Sequence, residues 1–341
     1  MRVTSLVGPQ PALRRAQAFD AEQRFIETAL RGRSARQVRA CLRRMEPVFV
    51  VTPRWSRPQA FLEEIALDLA VGEPAIGCRT VGFRPQRGRA PASTWPLMLQ
   101  ILNQLGRGGG TTGMVATAVD REGFRAGVGE ALEAAHQSSR HRLAVLLHGI
   151  EHMPVEVLSD LVEQWSAYRE RHPEGLRVAL LMAGSELPPW LTLPDLHRVE
   201  LEDYSEAETI AALVARCGPM APRRLMALAR FTGGVPAMVE AVAEMTAAGR
   251  EGLPIAASRG ARLDVDLLLQ GMGPVADEIR GAMDIVSARG ELSDRLSTLS
   301  RDGAAPRAAS DEALFAAGLL KRVRATGQVS LRAPALAAML G

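Results

Sequence analysis

The sequence predicts an α/β chain. A parallel sheet covered on both faces by helices comes first, then a helical segment, then a small domain of helices closed by a hairpin. Three observations carry this. The segments "PVFVVT" (47–52), "HRLAVLLHG" (141–149) and "LRVALLMAGS" (176–185) are apolar without alternation, as strands buried on both faces are. Helical stretches separate them, so the order is strand, helix, strand, which parallel pairing requires. After "LHRVELEDYS" (196–205) strand signals stop until the last residues of the chain.

Each element has its own signal. Residues 11–45 are helical and Arg-rich, with Gly32 as a break. The β-branched run 47–52 is a strand. "RPQAFLEEIALDLAVG" (57–72) is a helix with Pro58 in its first turn and Gly72 at its end. "AIGCRTVGF" (75–83) is a second strand, followed by a loop (84–94), a helix (95–106) and the flexible "GRGGGTTG" (106–113). Residues 121–140 are helical, and 154–173 form an amphipathic helix with Pro154 near its start. Residues 205–250 are helical and contain "FTGGVPAMVEAVAEM" (231–245); 251–262 form a linker. The tail carries three helices and a hairpin turning at Thr326-Gly327, the order of a winged helix-turn-helix. The expected domains are an N-terminal helical segment (1–46), an α/β core (47–202), a helical lid with linker (203–262) and a winged helix (263–341).

Composition narrows the function classes. With 47% hydrophobic and 23% charged residues the chain reads as globular. The first residues lack the apolar core of a secretory signal, and no apolar run is long enough to span a bilayer. Cys41, Cys78 and Cys217 are sparse, odd in number and in no metal-ligand spacing, which points to reduced thiols and a cytoplasmic protein with no metal site. The net charge is +3, and Lys321 is the only lysine among 41 basic residues. A GC-rich bacterial genome, favouring Arg codons, accounts for that bias.

From about residue 45 to the end, the chain resembles the ATPase region of the AAA+/STAND superclass of P-loop proteins. "VFVVTPRWSRPQAFLEEIALDL" stands where these have a strand, a Walker A loop and a helix. "LAVLLHGIEHM" stands at the Walker B strand, and "LRVALLMAGSEL" at the sensor strand, with Gly184 and Ser185 at its tip. "VELEDYSEAETIAAL" resembles the segment opening the lid, and "FTGGVPAMVEAV" the Gly-x-Pro lid motif, with Gly234 and Pro236. "EALFAAGLLKRVRATGQVSLRAPALAAML" resembles the closing winged helix. The resemblance implies a three-layer α-β-α P-loop core, a helical lid and a winged helix.

The expected chemistry is missing from the matching residues. A Walker A loop, G-x-x-x-x-G-K-[ST], wraps phosphates in backbone N–H groups, neutralises them with Lys and holds Mg²⁺ through a hydroxyl. Here the stretch is "TPRWSRPQ". Thr52 and Ser56 stand at the glycine positions, Arg57 and Pro58 follow, and Gln59 closes it. Pro58 removes a donor. Arg54 and Arg57 offer charge, but a guanidinium does not replace a compact ammonium in a tight loop. At the Walker B position stands His148, a poor Mg²⁺ ligand, with Glu151 three residues on. These residues outline a vestigial nucleotide site from which ATP hydrolysis is not expected. Trp55, or the side chains of Arg54 and Arg57, is expected to fill the space a nucleotide would take.

The residues also carry two other patterns. "HGIEH" (148–152) is an H-x-x-E-H string like that of inverted zinc peptidases. It follows an apolar strand, contains Gly149 and precedes Pro154, so His148 and His152 do not share a helical face. A winged helix can bind DNA, and Lys321, Arg322, Arg324 and Arg332 on the wing could meet phosphates. The candidate recognition helix "SDEALFAAG" holds Asp311 and Glu312 and no basic residue. The Arg-rich stretch with Arg31, Arg33, Arg36, Arg39, Arg43 and Arg44 reads as a solvated or partner-binding face. The resemblance, with its chemistry removed, implies a pseudo-ATPase acting as scaffold, adaptor or regulatory subunit. Its expected partners are proteins, an active relative or further copies of itself. The alternatives are a nucleotide switch binding ATP or ADP, a DNA-associated protein and, remotely, the zinc peptidase.

Overall fold

The computed structural model describes residues 32–83, 98, 101–102, 120–137, 142–218, 220–247, 265–323 and 326–340. The expected helix before residue 32, the loop 84–94, most of the helix 95–106, the linker 251–262, Arg31 and Arg324 lie outside the described residues. Two compact units divide at Glu202 and Asp203.

The first unit, Arg33–Glu202, is built on five parallel strands: β1 (Val48–Val51), β2 (Ile76–Gly82), β3 (Arg142–His148), β4 (Val178–Gly184) and β5 (His197–Glu200). They lie in the order β2-β3-β4-β1-β5. β1 therefore sits between β4 and β5, with Val51 opposite Gly184 and Glu200. Successive residues face opposite layers, and both layers are apolar, which is why the strands show no alternation. Phe49, Val145, Leu147, Leu180 and Met182 meet Phe124 and Val128 of α3 (Arg121–Gln137) and Leu158, Trp165 and Tyr168 of α4 (Val155–Arg171). On the other face, Val48, Val50, Leu146 and Leu181 meet Ala35, Val38 and Leu42 of α1 (Gly32–Arg43) and Phe61, Leu62 and Ile65 of α2 (Pro58–Val71). The result is a three-layer α-β-α core. Because α1 packs on the sheet, the expected boundary at residue 47 falls inside this unit.

α3 and α4 are also clamped by charge. The fully buried Asp160 carboxylate accepts from Arg121 Nε (2.7 Å) and Nη2 (2.9 Å) and from Arg125 Nη1 (2.8 Å). A buried charge with three donors is a satisfied one.

The second unit begins at Asp203. Ser205 and Glu208 form a reciprocal capping box on α5 (Glu206–Cys217). α6 (Pro222–Thr232) ends at Gly233 in the left-handed region, and α7 (Pro236–Ala247) follows. Then come α8 (Val265–Gly271), α9 (Pro274–Ser287), α10 (Gly290–Asp302), α11 (Asp311–Ala316), the antiparallel strands β6 (Leu320–Arg322) and β7 (Val329–Leu331), and α12 (Pro334–Ala338). The expected three helices and hairpin are present as α9 to β7; the short α8 and α12 flank them. The hairpin turns at Gly327 with φ +68°, and Ala305 bridges to Val329. Arg295 forks onto the buried Asp311 (2.8 and 2.9 Å), tying α10 to α11.

Candidate functional site

The loop after β1 keeps the shape of a strand-to-helix turn without its usual residues. The buried Thr52 donates its N–H to Gly184 O (2.8 Å), and Ser56 N–H closes a turn on Pro53 O (3.1 Å). Two side-chain-bearing residues take left-handed backbone: Trp55 (φ +62°) and Arg57 (φ +53°). That conformation costs an L-residue about 1–2 kcal/mol relative to Gly. Arg57 is the N-cap of α2 and Pro58 its first residue. Counted from Thr52, the G-x-x-x-x-G-K-[ST] pattern puts its second glycine on Arg57, its lysine on Pro58 and its hydroxyl on Gln59. This corrects the placement of the second glycine on Ser56, which is fully buried. Gln59 Nε2 donates along the helix to Glu63 Oε1 (2.8 Å). Arg54 and Arg57 are exposed rather than filling a space, and Trp55 is half-buried.

His148 ends β3, and its ring lies over Gly82 of β2. A Cβ on Gly82 would come within 2.2 Å of His148 Nε2, so the ring occupies the space a side chain would need. Gly149 (φ +69°) then turns the chain against Phe83 O into a 3₁₀ turn, Ile150–His152. The Glu151 carboxylate leans over the end of β4; a Cβ on Gly184 would lie 2.9 Å from its Oε2. His152 is 41% exposed, with Nε2 3.9 Å from Glu151 Oε1. The H-x-x-E-H string is thus split between a strand end and a 3₁₀ turn. Ser185 is exposed just beyond β4. The chain brings Thr52, Gly184 and Glu151 to one end of the sheet, where β1 and β3 flank β4. Ligands of parallel α/β sheets bind at such carboxyl ends.

Gly234 and Pro236 belong to the second unit. Gly234 (φ +80°) packs on the backbone of Tyr204, whose carbonyl oxygen a Cβ there would meet at 2.0 Å. Tyr204 N–H donates back to Gly234 O (2.9 Å), and Pro236 is buried at the start of α7. Glycine at this position is explained by its positive φ and by close backbone approach, with no ligand needed.

Among solved structures, the chain is similar to the Walker-type ATPase of Pyrococcus abyssi. The match has a TM-score of 0.60 at 10% identity and covers 91% of this chain and 95% of that one. The fold is that of the P-loop ATPases. Weaker likenesses are to Cdc6p of Pyrobaculum aerophilum (TM-score 0.46, 13% identity, 91% of this chain and 92% of that one) and to a signal transduction ATPase with numerous domains and a tetratricopeptide repeat sensor from Pyrococcus horikoshii (0.38, 12%, 89% and 41%). No family model and no curated protein matches the sequence. In this fold, the loop 52–57 joins β1 to α2, and His148 ends β3.

Of the four cations expected on a wing, the three among the described residues do not form one basic surface. Arg332 is buried (2% exposed), and its Nε and Nη2 fork onto Asp203 at 2.7 and 2.5 Å. Lys321 is partly buried beside the same pair, and burial lowers its pKa. Arg322 is exposed, its guanidinium 5.6 Å from the Phe315 ring centroid. Arg324 is outside the described residues. The expectation of Arg332 as a phosphate contact is therefore corrected: its charge is spent inside the unit. On α1, Arg39 pairs with Asp68, and Arg44 holds Glu46 at 2.8 and 2.7 Å.

One group escaped the sequence reading. Cys41, Glu46 and His197 place Sγ, a carboxylate oxygen and a ring nitrogen within 4.8 Å of one another. His197 is far away in sequence and joins the others only because β5 pairs with β1.

Among the described residues, no helix is long and apolar enough to cross a membrane.

Proposed function

We propose that this chain is a P-loop ATPase homologue that does not hydrolyse ATP and acts as a scaffold, adaptor or regulatory subunit through protein–protein contacts. The observation that carries the reading is the start of α2. Pro58 and Gln59 stand where the phosphate-binding lysine and the Mg²⁺-binding hydroxyl are required. The sole lysine, Lys321, lies in the other unit and is partly buried. At the metal position the imidazole of His148 packs over Gly82, and an imidazole is a poor ligand for Mg²⁺. Without lysine and metal, charge developing on a transferred phosphoryl group is unbalanced. What persists is the α/β frame, whose flanking surfaces suit assembly with an active relative or with further copies of the chain.

Hydrolysis and thermal-shift assays test this together. No phosphate release above background with Mg²⁺ or Mn²⁺, and no rise in melting temperature at millimolar ATP or ADP, is expected. Turnover lost in Glu151→Gln would overturn the reading. A saturable rise in melting temperature without turnover would favour a nucleotide switch instead. That second reading rests on the N-terminus of α2, which still faces the loop with its dipole.

A further inference from the structure

We propose that Cys41, Glu46 and His197 form a site for a divalent cation of the zinc class, and that Arg44 holds the site closed when no ion is bound. The three residues come from the last turn of α1, the turn into β1 and the start of β5. Their backbones are tied directly: Glu46 N–H donates to Cys41 O and His197 N–H to Pro47 O, each at 3.0 Å. Between Cys41 and Glu46 the chain reverses at Met45, a non-glycine residue at φ +60° whose side chain is buried (3% exposed). That reversal costs about 1–2 kcal/mol, and it is what returns Glu46 to the side of Cys41.

The donor set is chemically selective. One thiolate, one imidazole and one carboxylate are zinc ligands, whereas Mg²⁺ and Ca²⁺ take oxygen alone. Glu46 Oε2 already lies 3.0 Å from His197 Nε2, and Cys41 Sγ is within 4.8 Å of both partners' donor atoms. Tetrahedral zinc, with bonds of about 2.0–2.3 Å, needs ligand atoms about 3.3–3.8 Å apart, so the required closure from the Cys41 side is about 1 Å. Cys41 is buried on the inner side, while His197 is 43% exposed and opens the fourth position to water. Burial raises the Cys41 thiol above its ordinary range. It therefore enters as S–H, and binding releases its proton to solvent as the S–metal bond forms.

Arg44 competes for the same atoms. Its Nε and Nη2 hold Glu46 Oε1 and Oε2 at 2.8 and 2.7 Å, and Nη2 lies 3.7 Å from Cys41 Sγ. A cation arriving between Oε2 and Sγ must displace Nη2. Arg44 is 54% exposed, so it can swing into water. A network made for Arg44 alone would need the carboxylate, but would have no use for an imidazole on the same oxygen and a thiol behind it.

The test is titration of the chelator-stripped full chain with Co²⁺, then Zn²⁺. The expected result is one Co²⁺ per chain, with a thiolate-to-cobalt charge-transfer band that Zn²⁺ abolishes and Mg²⁺ does not. Cys41→Ser removes the band. His197→Ala weakens binding on the order of 100-fold, at least as much as losing a supporting contact does. Arg44→Gln tightens it about tenfold by removing a like charge. Circular dichroism checks each variant, and if Cys41→Ser fails to fold, the exposed His197 decides. Absence of the band in the unmodified chain, its survival in Cys41→Ser, unchanged affinity in His197→Ala, or weaker binding in Arg44→Gln would overturn the proposal. So would loss of binding in His152→Ala, which would move the ion to the His148–His152 string.

Discussion

The Arg332 guanidinium, 2% exposed, forks onto the Asp203 carboxylate across 129 residues of sequence. Both groups lie in the second unit, Asp203 at its first residue and Arg332 just after β7. Asp203→Ala takes the carboxylate away from a buried guanidinium and is expected to cost about 3–5 kcal/mol. Arg332→Ala leaves a carboxylate that is 15% exposed and better able to reach water, so its cost should be lower. Urea denaturation of both single variants and the double variant measures this. Equal costs, or additive ones, would contradict a direct pair.

Lys321 stands beside that pair with its pKa lowered from 10.5 by burial. The sign follows from proton counts. Between the lowered folded value and 10.5 the unfolded chain binds more protons, so stability rises with pH across that window. Below it the penalty of burying the charge is fully present. Lys321→Met should therefore be more stable than the parent chain at neutral pH, by about 1 kcal/mol. The difference should shrink as pH approaches 10.5. Melting curves of the two proteins at matched pH values decide it; a gap that widens with pH would be the wrong sign.

Gly234 and Gly218 separate conformational strain from steric contact. Both have φ near +80° (80° and 76°), but a Cβ on Gly218 meets nothing within 4 Å, while one on Gly234 meets Tyr204 O at 2.0 Å. Gly218→Ala should cost about 1–3 kcal/mol, the backbone penalty alone of a region (φ 76°, ψ −175°) that is essentially restricted to glycine. Gly234→Ala should cost at least about 3 kcal/mol, because the α5–α7 turn must move as well. Equal losses in thermal denaturation would show that the Tyr204 contact does not limit this position.

Asp160 offers a third comparison. Its carboxylate is fully buried, whereas Arg121 and Arg125 are 56% and 38% exposed. Asp160→Ala frees two guanidinium groups that can rehydrate, so the loss should be about 2 kcal/mol, below that of an ordinary broken buried pair. Each single Arg→Ala change leaves one donor group on the carboxylate and should cost about 1 kcal/mol. Chemical denaturation of the three variants tests the ordering.

The sheet was legible in the sequence because its strands are apolar on both faces. Val48 to Val51 and Val178 to Gly184 could only be interior strands. The strand-to-helix turn was legible through Pro58. The register within it follows by counting the pattern from Thr52, which puts the second glycine position on Arg57; what no sequence pattern shows is that Trp55 and Arg57 carry the left-handed conformation. The wing misled for a different reason. A basic residue in a hairpin looks the same in sequence whether it faces water or an aspartate 129 residues away. Cys41, Glu46 and His197 meet through strand order, and no local pattern encodes that order.

The position of β1 has a consequence during synthesis. Its "VFVV" leaves the ribosome before both of its sheet neighbours, which do not exist until residues 178–184 and 197–200 have been made. At about 5–20 residues per second, the wait is on the order of ten seconds. Throughout it the nascent chain displays a β-branched apolar strand with both edges open, a template for pairing with neighbouring chains on the same messenger. Conditions that slow translation between β1 and β4 should therefore lower soluble yield without altering the finished protein's stability.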